Sequence, residues 1–502
     1  MESAETEVAD TLTRRARLGL VLGPALFVLM LVIPAPEGLS AAGWRVAAAG
    51  VLMAVWWVTE PIPIPATALL PLVLFPLLGV SGIQEAASPY ANELIFLFMG
   101  GFMLAQAMQR WGLHRRIALR VLSAVGTRPA ALVGGFMLAT AFISMWVSNT
   151  ATAVMMLPIG LSVVQLVQRG APEGARSELP GALMLGIAYA ASIGGFATLI
   201  GTPPNALLAG FVQQTYGIRV GFAQWMMVGV PMMLVLLPFT WLLLTRVVYR
   251  VNEPEIPGGR ELIAGEMKSL GPVSTPERVV AVVFGLAALA WIFRPLLETA
   301  VPGAELSDAG IAITAALVLF LFPVNLARAE FVLDWQWAGR LPWDVLLLFG
   351  GGLSLADALT RTGVAKWIGA GLSGLGSLPT PLLVLLVCAT IVFLSEIASN
   401  TATAAAFLPV VGSLALGVGE NPLLFVVPAA LAASCGFMLP VATPPNAIAY
   451  ATGHVSVPRM ARAGLLLDLM GIAVILVVAY TVLLWAFGVE PGVLPPWAGP
   501  AR

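Results

Sequence analysis

Charge is what this sequence has least of. Only 10% of its 502 residues are Asp, Glu, Lys or Arg, where a soluble domain carries roughly 25%. So few charges do not cover a water-facing surface, and 59% of the chain is hydrophobic, so most of the surface must face lipid. Cysteine is as scarce: Cys388 and Cys435 are the two, both in apolar segments. That excludes a disulfide framework, and two cysteines with two histidines, His114 and His454, are too few ligands for a zinc-type centre. No His/Asp/Cys cluster suited to catalysis appears, so no catalytic residue is assigned. A formal net charge of −1 offers nothing to a polyanion, and a nucleic-acid partner is excluded.

What is present is apolar length. Stretches near the ~20 residues a bilayer requires recur at 18–34, 279–293 and 469–485, among others. The first follows a polar segment with Glu2, Glu5, Glu7, Asp10, Arg14, Arg15 and Arg17. It lacks a small-residue cleavage site and reads as a retained helix rather than a signal peptide. Spans are expected near 17–34, 44–58, 62–80, 91–113, 225–249, 279–294, 307–324, 342–360 and 462–488, with interrupted spans at 181–212 and 422–453. Segments 128–167 and 379–417 each carry a Ser-Asn-Thr break at the centre and read as re-entrant hairpins. The fold class is therefore all-α and polytopic, with about eleven transmembrane helices. The polar stretch 250–276 reads as a linker in which Pro and Gly break any periodicity.

Basic residues then sort by side. With a cytoplasmic N-terminus, the inner loops collect most arginines, including Arg14, Arg15, Arg17, Arg110, Arg115, Arg116, Arg176, Arg328, Arg340, Arg459 and Arg462. The outside keeps Arg45, Arg219, Arg294, Arg361, Lys366 and Arg502. This positive-inside bias places the C-terminus outside a bacterial-type inner (plasma) membrane.

The two halves repeat in order. Phe-Met-Gly-Gly-Phe-Met-Leu-Ala at 98–105 corresponds to Phe-Gly-Gly-Gly-Leu-Ser-Leu-Ala at 349–356. Ser-Asn-Thr-Ala-Thr-Ala recurs at 148–153 and 399–404, and Thr-Pro-Pro-Asn-Ala at 202–206 and 443–447. The copies start on opposite sides of the membrane in this topology, so the repeat is inverted, and paired interruptions in such repeats point to a transporter site near the midplane. In lipid, irregular backbone is tolerated only where protein buries it or it lines a cavity. Thr-Pro-Pro-Asn removes two amide donors and pushes the residues before each proline out of helix, and a helix restarts behind it. A lone proline would be a kink, and a lone Ser-Asn-Thr a cap. Four such breaks, duplicated and symmetric, read as one site.

Four helix N-termini, each near half a positive charge, suit a dianion. No Lys, Arg or His lies in 141–160, 191–210, 395–410 or 435–450, so mobile cations are expected to supply the missing charge; hydroxyls, amide oxygens and carbonyls suit Na⁺. Glu396 is either a proton site or a structural acceptor. Glu60, Asp344 and Asp468 read as capping or positioning residues near span ends. Trp56, Trp57, Trp111, Trp343, Trp485 and Trp497 read as interface anchors.

On these motifs, and on Ala-Ser-Cys-Gly-Phe-Met-Leu-Pro-Val-Ala-Thr-Pro-Pro-Asn-Ala-Ile at 433–448, the chain resembles the divalent anion/sodium symporter family over nearly its whole length. The resemblance implies a homodimer whose protomers join a scaffold to an elevator-type transport domain holding both hairpins. It implies a first Na⁺ site of Ser144, Ser148, Asn149 and Gly201, and a second of Ser395, Ala398, Asn400 and Ala442. It implies that substrate carboxylates meet Asn149, Thr150, Thr202, Asn400, Thr401, Thr443 and Pro444. The resulting division is 1–90 as tail and scaffold helices, 91–249 as first repeat, 250–276 as cytoplasmic linker, 277–341 as second scaffold helices, 342–488 as second repeat and 489–502 as external tail. The implied activity is transport of di- or tricarboxylates such as succinate, malate, fumarate or citrate with two or more Na⁺ per cycle. A Na⁺-independent dicarboxylate exchanger of the same fold, a sulfate-type carrier and a channel are the alternatives.

Overall fold

The computed structural model describes residues 13–170, 177–252, 256, 258–300 and 306–498. The acids Glu2 to Asp10, and Arg176 and Arg502, lie outside the described residues.

Chain order explains the first half. Helix α1 (Arg14–Val32) packs along α2 (Ala41–Thr59), which Ser40 starts by accepting the Gly43 amide at 3.0 Å. The span expected at 62–80 is instead two short helices, α3 (Ile64–Thr67) and α4 (Leu70–Leu77). Prolines at 61, 63, 65, 71 and 76 withhold the amide donors a continuous helix needs. Helix α5 (Ile83–Ala87) leads through a 41° bend into α6 (Glu93–Arg110), capped by Asn92. An unforeseen amphipathic helix, α7 (Leu113–Val125), follows. Then come α8 (Pro129–Ser144), α9 (Asn149–Gly170), α10 (Leu179–Gly195), α11 (Pro203–Tyr216) and α12 (Phe222–Leu242), which ends in a π-helical turn over Leu243–Val248.

The linker expectation needs correcting. Residues 250–276 contain a helix, α13 (Gly259–Ser269), which packs on α7 and places Glu266 against Arg115. Pro254 and Pro257 precede it, and Gly271, Pro272 and Pro276 follow it, so the prolines bound the helix rather than prevent it. The second half continues with α14 (Thr275–Ile292), α15 (Arg294–Ala300) and α16 (Asp308–Leu321). A two-stranded hairpin, β1 (Pro323–Asn325) with β2 (Glu330–Phe331), is the one departure from helix among the described residues. Helices α17 (Trp335–Ala338), α18 (Trp343–Arg361), α19 (Val364–Leu372), α20 (Thr380–Ser395), α21 (Asn400–Gly417), α22 (Leu423–Ala433), α23 (Pro444–Ala451), α24 (Val457–Ala479) and α25 (Val482–Phe487) complete the fold.

Among the described residues, eight helices are long and apolar enough to cross a bilayer, or nine with the bent pair counted as one span. The first arms of the Ser-Asn-Thr segments are not among them. Helices α8 and α20 have 16 residues each, about 24 Å of helix against a ~30 Å hydrocarbon core, whereas the second arms, α9 and α21, are among the eight helices long enough to cross. In α1 only 17% of the span is buried, against 61% in α18 and α21, so α1 lies at the lipid edge and the hairpin and glycine-motif helices lie inside. The repeated glycine motif has a packing reason. A Cβ at Gly100 would lie 2.7 Å from the Ala312 backbone, and one at Gly351 would lie 2.2 Å from the Ala68 oxygen.

The breaks are interlocked between repeats. Helix α11 packs on α18 and α21, and α23 packs on α9 and α10. Each half-helix after a Thr-Pro-Pro-Asn thus rests on the other repeat. Trp57 is fully buried and is a packing residue, not the interface anchor expected. Trp343 and Trp485 are exposed, as anchors are.

Candidate functional site

The two interruptions are closed by the same bonds. In the first, Asn205 Nδ2 donates to the Gly195 carbonyl at 3.0 Å and to the Thr198 carbonyl at 2.8 Å. In the second, Asn446 Nδ2 donates to Gly436 at 3.1 Å and to Leu439 at 3.1 Å. The asparagine of each Thr-Pro-Pro-Asn therefore replaces main-chain donors that the prolines removed, and holds the break in one shape. Thr443 accepts the Asn446 amide at 3.4 Å and caps α23, whereas Thr202 is buried at the matching place.

Each hairpin tip is fastened to its break by a serine. Ser144 Oγ donates to the Ala191 carbonyl at 2.6 Å, and Ser395 Oγ to the Cys435 carbonyl at 2.9 Å. In the first repeat Thr198 also donates to the Met145 carbonyl. In the second, the Glu396 carboxylate takes three successive amides, of Phe437 at 2.6 Å, Met438 at 2.9 Å and Leu439 at 3.0 Å. Of the two roles foreseen for Glu396, the geometry supplies the acceptor, and for the break rather than for the hairpin itself.

Oxygens converge at both tips. Ser144 Oγ lies 2.8 Å from Asn149 Oδ1, and the same amide end of Asn149 lies 3.0 Å from the Ala191 carbonyl and 3.3 Å from the Gly201 carbonyl. With the amide turned, its nitrogen bonds all three; with the oxygen there, it has three oxygens within 3.3 Å, a donor set suited to a hard cation. At the second tip, Asn400 Oδ1 is buried without a donor. It sits at Gly436, where an added Cβ would lie 3.4 Å from that oxygen, 3.3 Å from Ala442 Cβ and 3.6 Å from the Ser395 carbonyl. The residues of both expected Na⁺ sets thus come together in part: Ser144, Asn149 and Gly201 in one, and Ser395, Asn400 and Ala442 in the other. Ser148 caps α9 through the Thr152 and Ala151 amides, and Ala398 closes the end of α20 on Leu394 at 3.1 Å. Thr150 and Pro444 are exposed, and Thr401 is half-buried.

Three features were missed from sequence. Gly195 and Gly436 allow the close approach: a Cβ at Gly195 would lie 2.7 Å from Asn149 Oδ1. The signal was the Gly-Phe pair repeated at 195–196 and 436–437. Arg15, on the lipid-edge helix α1, donates to the Ile397 carbonyl of the second tip and pairs with Glu60 at 3.1 Å. The second tip therefore does have a side-chain cation beside it, brought by tertiary structure from a residue 382 positions away. Asp468 corrects an expectation outright. It lies inside α24, not at a span end, and is fully buried. Glu60 does act as a cap, in a left-handed conformation with φ 51° at the end of α2.

An all-helical membrane fold with paired, mutually braced helix breaks and short hairpins defines the class: a polytopic membrane transporter. Residues 15–487 match the sodium:sulfate symporter transmembrane region model, and the chain belongs to that family of transporters; it is not an enzyme. It is 43% identical to the sodium-dependent dicarboxylate transporter SdcS of Staphylococcus saprophyticus, over 94% of this chain and 92% of the relative. It is 42% identical to the Staphylococcus aureus transporter of the same name, over the same shares. Among solved structures it shares the fold of Neisseria gonorrhoeae MtrF, described as one of a class of antimetabolite efflux pumps, with TM-score 0.59, 13% identity and 97% and 98% of the two chains covered. It also shares the fold of the Alcanivorax borkumensis YdaH transporter, with TM-score 0.55, 16% identity and 94% and 97% covered.

Proposed function

We propose that this protein carries a small dicarboxylate inward across the plasma membrane together with Na⁺. The observation that carries the reading is the buried Asn400 oxygen without a donor at the second tip, matched at the first tip by the gathering of the Asn149 amide with Ser144 Oγ and the Ala191 and Gly201 carbonyls. Neutral oxygens arranged this way attract a small cation, and cations between four helix N-termini neutralise a dianion that no buried Lys or Arg meets. The names of the Staphylococcus relatives point to the same coupling.

In this reading Ser144, Ser148, Asn149 and Gly201 hold one Na⁺, and Ser395, Ala398, Asn400 and Ala442 hold another. Thr150, Thr202, Thr401, Thr443 and Pro444 join the two asparagines around the carboxylates. The hairpins and breaks move as a transport domain against a scaffold formed by the other helices, in a homodimer with cytoplasmic N-termini and external C-termini. Succinate uptake into proteoliposomes tests this. Uptake is expected only with Na⁺ outside, with malate, fumarate and citrate as competitors. Uptake that ignores Na⁺ and requires internal dicarboxylate would establish the exchanger, and displacement of substrate by sulfate would establish the sulfate-type carrier.

A further inference from the structure

The two repeats share motifs and bonds but not their cover. Ile200 and Val441 each stand two residues before the threonine of a Thr-Pro-Pro-Asn, yet Ile200 is 2% exposed and Val441 77%. Trp146 and Ile397 each stand two residues after the serine that fastens a tip, and they are 8% and 51% exposed. Phe222 opens α12 and Val457 opens α24; the first is buried and the second exposed. In every pair the first-repeat residue is covered and its counterpart is open.

Particular helices supply the cover. A Cβ at Gly101 of α6 would lie 3.2 Å from Ile200, whereas one at the matching Gly352 of α18 would have only Leu207 and Ala405 within 4 Å, and not Val441. Helix α11 packs on α6 and α18, while α23 packs on α9 and α10. The Phe222 ring stacks on Trp291 of α14 at 4.7 Å and on Trp146 of the first tip at 6.0 Å.

The turn between α11 and α12 is held by three carboxylates from three helices. Glu93 of α6 accepts from Gln213 Nε2 at 2.7 Å and stands 3.6 Å from Arg219. Asp357 of α18 accepts from Gln214 Nε2 at 3.2 Å. Asp308 of α16, paired with Arg294 at 3.0 Å, accepts the Phe222 amide at 3.0 Å. The matching turn at 452–456, between α23 and α24, bonds only to itself and its flanking helices among the described residues. Because the halves are alike, an asymmetric arrangement has an exchanged counterpart in which the second half is covered and the first is open.

We propose that Glu93, Asp308 and Asp357 form a clasp on residues 213–222 that shuts the transporter on the face opposite Arg15 and Glu60. Releasing it exchanges the Gly101–Ile200 contact for a Gly352–Val441 contact. This rests on the moving transport domain of the function proposed above, not on the choice of ion or substrate.

Cysteine labelling in sealed proteoliposomes with a charged, membrane-impermeant maleimide tests the clasp. The native cysteines are buried, and one thiol is added by Val441→Cys or by Ile200→Cys. With the clasp intact, Val441→Cys is labelled from the Arg15 face and Ile200→Cys is protected. Glu93→Ala with Asp357→Ala removes both glutamine bonds, and the rates should move in opposite directions. Labelling of Ile200→Cys rises by about fivefold, the scale on which two partly exposed hydrogen bonds shift an equilibrium, and that of Val441→Cys falls. Adding Gly352→Ala, whose Cβ fits here 3.5 Å from Leu207 but would crowd Val441 in the exchanged state, returns both rates toward the parent values. Rates that rise together mark general loosening and overturn the clasp, as do unchanged rates or a Val441→Cys thiol that the reagent never reaches. Failure of Gly352→Ala to restore the rates overturns the exchanged contact. Should the double variant fail to fold, Gln213→Ala with Gln214→Ala removes the same bonds from the turn and decides. Labelling requires neither Na⁺ nor succinate, so uptake that ignores Na⁺ would sink the coupling and leave this result standing.

Discussion

Asn149 meets the Ser144 hydroxyl and Asn400 carries a buried amide oxygen without a donor, whereas Asn205 and Asn446 spend their amide nitrogens on the breaks. The two pairs should fail differently. Asn149→Ala and Asn400→Ala are each expected to abolish Na⁺-driven uptake with little change in thermal stability, and unimpaired uptake would remove that residue from the site. Asn446→Ala loses two buried hydrogen bonds and leaves carbonyls of Gly436 and Leu439 unserved, at a cost of roughly 1–3 kcal/mol, so its melting temperature in detergent should fall. Glycine at 201 is equally specific. A Cβ there would lie 2.6 Å from the Gly195 oxygen, while its counterpart, Ala442, already carries one. Gly201→Ala should therefore impair uptake, and Ala442→Gly should not.

At the scale of elements, the amphipathic helix α7 is fastened rather than floating. Arg116 and Glu277 are both buried; the guanidinium holds both carboxylate oxygens and also the Gly271 carbonyl at 3.0 Å. Removing one partner of such a pair costs roughly 3–5 kcal/mol because the other charge is left buried alone. Arg116→Ala should accordingly lower the melting temperature sharply, and more than Arg115→Ala, whose ion pair is largely exposed. His114, on the same helix, is buried with Nδ1 3.1 Å from the Met108 carbonyl. Burial, joined by the charge of Arg115, pulls its pKa below the ordinary value, against the opposing pull of the Met108 carbonyl. The folded state thus favours neutral imidazole, while the unfolded chain protonates near pH ~6.5. Stability from this residue is present above that pH and lost as pH falls below it, where the unfolded state binds more protons. Melting temperatures of wild type and His114→Gln should converge in their pH response above this range and separate below it, with the wild type the more acid-sensitive.

For the whole molecule, ion pairs join residues that the charge pattern assigns to one side. Arg110 meets Asp334 at 2.7 Å and Arg115 meets Glu266. On the other side Arg361 meets Glu85, and Arg294 meets Asp308 at 3.0 Å. The native cysteines are buried, so they leave the background silent to polar thiol reagents. A cysteine at exposed Ser269 and one at exposed Ser373 should therefore be labelled from opposite faces of sealed vesicles. Labelling from the same face would overturn the inverted topology.

The sequence alone determined the solvent, the helical class, the internal repeat and the four breaks. Those are local properties: too little charge for water, apolar length, and prolines that cannot donate. The Ser-Asn-Thr positions at the tips were legible for the same reason, because duplication marked them, whereas Ser144, Ser395 and Gly201 came only from the family resemblance. Tertiary structure decided what packing across distance controls. It made a helix of the supposed linker, buried Trp57, and set Arg15 on the Ile397 carbonyl. It also moved Asp468 from a supposed span end to the interior of α24. None of these has a sequence signal, because each depends on which side chain a distant helix presents. A carboxyl reads alike in sequence whether water or protein surrounds it.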